Sequence, residues 1–151
     1  IIERDAGQRG MRFELPSDHV VTDRLEVGAA HETLGVEDPA IGDRLGVDIG
    51  PATVARYAAV IADARTIVWN GPMGVFEIDA FAPGTIAIAE AVAASAATSI
   101  VGGGDSVAAI GRVGVGDRIT HISTGGGASL EFLGGRRLPG VDALPDAEGT
   151  E

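Results

Sequence analysis

Apolar positions recur at helical spacing from residue 51, where Val54, Tyr57, Ala58 and Ile61 fall at i, i+3, i+4 and i+7. The spacing predicts an amphipathic helix ending near Ala64. Gly50-Pro51 supplies its strand-to-helix corner, with proline where a helix tolerates it, at the first position. Ahead of that corner Val47-Asp48-Ile49 predicts a strand. Behind the helix, Thr66-Ile67-Val68-Trp69 is β-branched and aromatic and predicts a buried one. An alanine-dense helix is predicted over residues 83–97, carrying Ile86, Ile88 and Val92, with Glu90 as its charged position. Thr98-Ser99-Ile100-Val101 predicts the next strand, residues 105–111 a short helix and residues 118–123 a further strand. A last helix runs from Gly126 or Gly127 to Leu133, stopped by Gly134-Gly135. Trp69, Phe132 and Leu133 are expected in the core.

Strands alternating with helices in units of about 20–35 residues predict βαβ crossovers and a parallel sheet. The fold class is α/β, a partial doubly wound, Rossmann-like sheet with helices on both faces. Burial on both faces explains strands that are apolar without alternation. The first fifty residues are less regular. Residues 13–15 and 19–22 read as short strand pieces around the turn chemistry of Pro16-Ser17-Asp18, and residues 26–46 as a surface excursion. No internal repeat is visible. An acidic tail from Leu138 is expected on the surface.

The 151 residues suit one domain. Hydrophobic residues at 45% and charged residues at 22% are globular proportions, which exclude collagen, coiled coil and disordered chains. The formal net charge of -11 makes nucleic acid and anionic membranes poor partners, since long-range attraction has the wrong sign. All the basic residues are arginine. With no cysteine, disulfides, thiolate metal sites and thiol nucleophiles are excluded. The longest uncharged stretch, residues 91–104, is shorter than the roughly 20 residues of a membrane span. Charges at Glu3, Arg4 and Asp5 interrupt any secretory signal, and a cytoplasmic protein is the expectation. Opening on Ile1 suggests a fragment or a processed product.

In a parallel sheet the strand-to-helix loops emerge together at the carboxyl edge, where ligands bind. Three such loops are unusual in composition: Asn70-Gly71-Pro72-Met73-Gly74, Gly102-Gly103-Gly104-Asp105-Ser106, and Ser123-Thr124-Gly125-Gly126-Gly127. Glycine lets backbone amides approach a ligand without a Cβ in the way. At a helix start, free N–H groups and the positive dipole end attract an anion. A single triplet can simply make a tight turn, but two triplets and a Gly/Pro loop on one edge favour a polyphosphate cradle. Asp105 reads either as a helix N-cap or as a carboxylate holding Mg2+ beside phosphates. Ser106 reads as a phosphate donor or a helix-start residue, and Glu77 as a ribose acceptor or an ordinary first-turn glutamate. Other constellations are weak. No lysine means no Walker A loop, and neither triplet has dinucleotide-fingerprint spacing. His19, His31 and His121 lie in separate elements, and His121 is expected to be a satisfied strand histidine.

The run Val68-Trp69-Asn70-Gly71-Pro72-Met73-Gly74-Val75-Phe76-Glu77 resembles a signature of the phosphoglycerate kinase family, in its bacterial form. So do residues 102–106 and the run His121-Ile122-Ser123-Thr124-Gly125-Gly126-Gly127-Ala128-Ser129-Leu130-Glu131-Phe132-Leu133. Gly46-Val47-Asp48-Ile49-Gly50-Pro51 and Leu138-Pro139-Gly140-Val141 fit too, in the right order. The resemblance implies Mg2+-dependent phosphoryl transfer between 1,3-bisphosphoglycerate and ADP, giving 3-phosphoglycerate and ATP, in a monomeric, two-domain glycolytic enzyme. This chain resembles the later part of its nucleotide-binding domain, with the glycerate-binding domain absent.

By that similarity Gly46, Asn70 and Pro72 help form the nucleotide pocket and Glu77 holds the ribose. Gly103 and Gly104 offer amides to phosphate, Ser106 touches it, and Asp105 binds the metal. Thr124, Gly125, Gly126 and Gly127 supply the helix terminus facing the transferring group. The family's basic glycerate-binding residues and phosphate lysines have no counterpart here. Phosphoryl transfer depends on positioning and on cancelling charge, so these residues alone are expected to be inactive. The alternative is a stand-alone nucleotide-binding module without kinase activity.

Overall fold

The computed structural model describes residues 2–145. Helix α1 (Ile2–Gln8) leads into an antiparallel sheet of β1 (Asp18–Thr22), β2 (His31–Gly35) and β3 (Leu45–Ile49), in spatial order β2-β1-β3. Helix α2 (Pro51–Ala62) connects to β4 (Thr66–Asn70), followed by α3 (Pro83–Ala94), β5 (Thr98–Gly102), α4 (Gly104–Val113), β6 (His121–Ser123) and α5 (Gly126–Leu133). Strands β4, β5 and β6 form the parallel sheet, in that order. The α/β class read from the alternation therefore holds: a parallel sheet flanked by helices.

Two expectations for the first fifty residues do not hold. Residues 26–46 are no simple excursion, because they carry β2 and the start of β3. Strand β2 pairs on one side only and leaves four of its five residues exposed, so it shows no apolar alternation by which to find it. Conversely, residues 13–15 lie outside any strand, with Phe13 and Leu15 exposed.

Helix α3 sits centrally. Ile88, Ala89 and Val92 pack with Trp69 of β4, Val101 of β5, Ile110 of α4 and Ile49 of β3, while Val54, Tyr57 and Ile61 of α2 close the cluster. Neighbours on several sides explain why α3 is apolar around most of its girth. Removing side chains such as Val92 and Val101 from water stabilises the fold by about 1.5–3 kcal/mol each. A smaller cluster of Val20, Ala29, Val47 and Phe81 lies under the antiparallel sheet.

The last helix departs from expectation. Phe132 and Leu133 were expected in the core but are 63% and 55% exposed. Only Gly126 of α5 is buried. The apolar side of α5 faces an open cavity of about 540 Å³, lined among others by Ile100, His121, Ala128, Phe132 and Leu138. His121 is thus a strand residue, as expected, but an exposed one. The tail from Leu138 forms the short helix α6 (Pro139–Asp142) and is exposed from Pro139 to Pro145, as expected of a surface tail. Residues 146–151 and Ile1 lie outside the described residues. No helix among the described residues is long and apolar enough to cross a membrane.

Candidate functional site

The three glycine loops start from one rung of the parallel sheet, where Asn70, Gly102 and Ser123 are aligned. They converge immediately beyond it. Gly103 has φ +94°, a conformation that side chains resist, and a Cβ there would lie 3.4 Å from the Asn70 Oδ1. A Cβ on Gly126 would lie 2.5 Å from the Gly103 Cα and 2.6 Å from its nitrogen. Two glycine backbones therefore pass within a distance that no side chain permits, and Asn70 packs against both.

These contacts bring the starts of α4 and α5 together. Their N-cap residues are Gly103 and Gly125, and neither makes a side-chain capping bond. The first intrahelical bonds run from Val107 N–H to the Gly103 carbonyl and from Ser129 N–H to the Gly125 carbonyl. The amides of Gly104, Asp105 and Ser106, and of Gly126, Gly127 and Ala128, precede them and are the orphan donors of each helix. Asp105 is therefore not the N-cap. It occupies the second helical position and is exposed, so its carboxylate is available to a ligand.

The structural helices start differently. At α2, Pro51 has no N–H, and the buried Asp18 carboxylate accepts from the Ala52 and Thr53 amides at 3.0 and 2.8 Å and from the Thr53 hydroxyl at 2.5 Å. Burial pushes the Asp18 carboxyl up, but these hydrogen bonds outweigh it and hold it below the ordinary value. At α3, the buried Asp48 accepts from the Gly84 amide at 2.6 Å and the Ile49 amide at 2.9 Å. Burial dominates there and raises the carboxyl in spite of both bonds.

The loop after β4 is tied down along its length. Gly71 N–H donates to the Ser106 hydroxyl at 2.6 Å, and the Trp69 indole N–H donates to the Gly71 carbonyl at 2.6 Å. Met73 and Gly74 N–H both donate to the Thr85 hydroxyl, and Val75 N–H donates to the Val47 carbonyl at 2.8 Å. Ser106 is 1% exposed, so its hydroxyl serves the Gly71 loop instead of facing solvent. Sequence reasoning missed Thr85, Asp48 and Asp18, buried polar residues that accept from amides 11 to 36 positions away, Asp48 also from its neighbour Ile49.

Asn70, Gly103, Gly104, Asp105, Gly125, Gly126 and Gly127 thus share the carboxyl edge, with Thr124 exposed beside them. Pro72 is half-buried in the strapped loop, and Glu77 is exposed on the turn that follows it. Gly46 lies apart on β3, in a cavity of about 420 Å³ that Asp48 and Met73 also line.

Comparison with known proteins identifies the family. The family model described as phosphoglycerate kinase matches residues 2–136. The chain belongs to the phosphoglycerate kinase family. It is 61% identical over 141 residues to the phosphoglycerate kinase of Koribacter versatilis and 60% identical over 137 residues to that of Rubrobacter xylanophilus. These alignments cover 93% and 91% of this chain but 35% of each relative. Among solved structures, the phosphoglycerate kinase of Coxiella burnetii superposes with a TM-score of 0.86 at 45% identity, over 93% of this chain and 36% of that one. The chain therefore spans about a third of the length of the phosphoglycerate kinases it matches.

Proposed function

We propose that this chain is the later part of the nucleotide-binding domain of a phosphoglycerate kinase. In that reading a longer protein transfers a phosphoryl group between 1,3-bisphosphoglycerate and ADP in the cytoplasm, as a monomer. The observation that carries it is the meeting of two uncapped helix starts across the Gly103–Gly126 contact, with Asn70 against both. Six orphan amides and two positive dipole ends at one place suit a polyphosphate. Gly103, Gly104, Thr124, Gly125, Gly126 and Gly127 are assigned to phosphate and the transferring group. Gly46, Asn70 and Pro72 are assigned to the nucleotide pocket, and Glu77 to the ribose. Ser106 is assigned an indirect part: its buried hydroxyl holds Gly71 and so keeps the loop after β4 beside the cradle.

The donor set fits Mg2+ only in company with phosphate. Among the described residues no cluster of three His, Asp or Glu is available, and Asp105 is the one first-turn carboxylate at the cradle. Mg2+ is commonly held by one or two carboxylates together with substrate phosphates and water. Asp105 would hold it there, and the ion would neutralise charge on the phosphoryl oxygens.

The rest of the catalytic machinery is assigned to the part of its relatives that this chain does not span. Strand β4 is an edge of the parallel sheet, and Ile67 and Val68 line an apolar cavity of about 280 Å³ with Tyr57, Val60 and Ile61 beside that edge. This is where further strands of the same domain are proposed to pair. Alone, the chain is expected to form no ATP from 1,3-bisphosphoglycerate and ADP. Turnover by the purified chain would refute that. Calorimetric titration of Mg-ADP into wild type and Asp105→Asn tests the site, because equal binding by both removes the metal role. A nucleotide-binding module without kinase activity would use the same cradle. Restoring activity by adding the missing part of a close relative would decide for the enzyme.

A further inference from the structure

We propose that Arg112, near the end of α4, is a positioning residue for ribose recognition, because its guanidinium fixes the turn that carries Glu77. The inference rests on the nucleotide reading above, with Glu77 as ribose acceptor.

Residues 75–78 form a turn closed by the Ile78 N–H, which donates to the Val75 carbonyl at 3.1 Å. Glu77 is the third residue of that turn and is exposed. Arg112 donates through one terminal nitrogen to the Phe76 carbonyl and through the other to the Asp79 carboxylate. The two anchor points lie on either side of Glu77. Phe76 is buried against Ala82 and against Ala109, one turn before Arg112 on the same helix. One face of α4 therefore both packs the turn and clamps it.

The Asp79 carboxylate is 94% exposed, so its ion pair with Arg112 contributes little stability by itself. What Arg112 supplies is geometry. Its planar fork of fixed donors can span two acceptors at once, which a lysine ammonium cannot do with the same precision. Helix α4 carries the open amides of Gly104 and Asp105 at its other end, about 12 Å away at 1.5 Å rise per residue. A single rigid helix thereby sets the spacing between the phosphate end of the site and the carboxylate that meets the sugar.

The test compares Mg-ADP with Mg-2′,3′-dideoxy-ADP, which lacks the hydroxyls Glu77 would accept from, by calorimetry on the 151-residue chain. Wild type prefers ADP. Arg112→Met keeps the alkyl stem and loses the fork. It is expected to bind ADP about five- to tenfold more weakly, with less than about a twofold change for the dideoxy nucleotide. Arg112→Lys recovers part of the ADP affinity. In a Glu77→Gln background, Arg112→Met costs nothing further. Should Arg112→Met fail to fold, Asp79→Asn at the exposed partner shows the same selective loss, smaller in size. Equal losses on both nucleotides, or no loss on either, overturn the role of Arg112 while leaving the nucleotide reading intact. Failure of wild type to bind either nucleotide removes both.

Discussion

Helices α2 and α3 begin against buried carboxylates of their own chain, whereas α4 and α5 begin at bare glycines. At α2 and α3 a proline occupies the first position and Asp18 or Asp48 accepts the amides that follow. At α4 and α5 no proline and no side-chain cap is present, and the two starts lean on each other through Gly103 and Gly126. Orphan donors at a helix start must find an acceptor somewhere. The first pair finds it inside the fold and is architecture. The second pair leaves it to solvent or to a ligand, and that is where the phosphates are proposed to sit.

The sharpest way to break this contrast is to exchange the consequences. Asp18→Ala strips the acceptor from the Ala52 and Thr53 amides and from the Thr53 hydroxyl, and is expected to destabilise by about 3 kcal/mol in denaturant unfolding. The surviving folded protein should bind Mg-ADP as before. Gly126→Ala should do the opposite. Its Cβ meets Gly103 backbone at 2.5 Å, so α5 must move away, and Mg-ADP affinity is expected to fall about thirtyfold, or ~2 kcal/mol. Helix α5 buries little, so unfolding should change less than for Asp18→Ala. Unaltered affinity in Gly126→Ala would separate the helix contact from binding.

The two buried carboxylates also respond to pH with opposite signs. Asp18 has a lowered folded value, so its stabilisation is present above the ordinary 3.8 and is lost as pH falls through the folded value. Asp48 has a raised folded value, so its contribution is complete below 3.8 and is lost as pH rises through the folded value. The stability gap between wild type and Asp18→Asn should widen on raising pH across this range, while that for Asp48→Asn should shift against wild type. Parallel acid titrations of the two variants would contradict the assignment. The smallest effect is expected at α5, where Phe132→Ser on the exposed face should change stability by less than about 0.5 kcal/mol. A larger loss would mean that the open side of α5 is packed after all.

Much of the parallel sheet was legible because its strands and helices carry their own periodicity. The βαβ alternation and the three glycine loops follow from local composition, and Asn70, Gly103 and Gly126 all lie in those loops. Strand β2 escaped because an exposed edge strand has no apolar rhythm. Phe132 and Leu133 misled for the converse reason. An apolar helix announces that it wants a partner but not whether one is there. Asp18, Asp48, Thr85 and Arg112 were invisible as a group, because each acts on a segment far along the chain.

Sequence alone therefore determined the class of fold, the turns that need glycine and the candidates for the proposed phosphate site, since these depend on short-range sterics and spacing. Tertiary structure alone decided which helix starts are closed by an internal carboxylate and which remain open. That choice is made by side chains arriving from elements tens of residues away, which meet the helix starts only once the chain has packed.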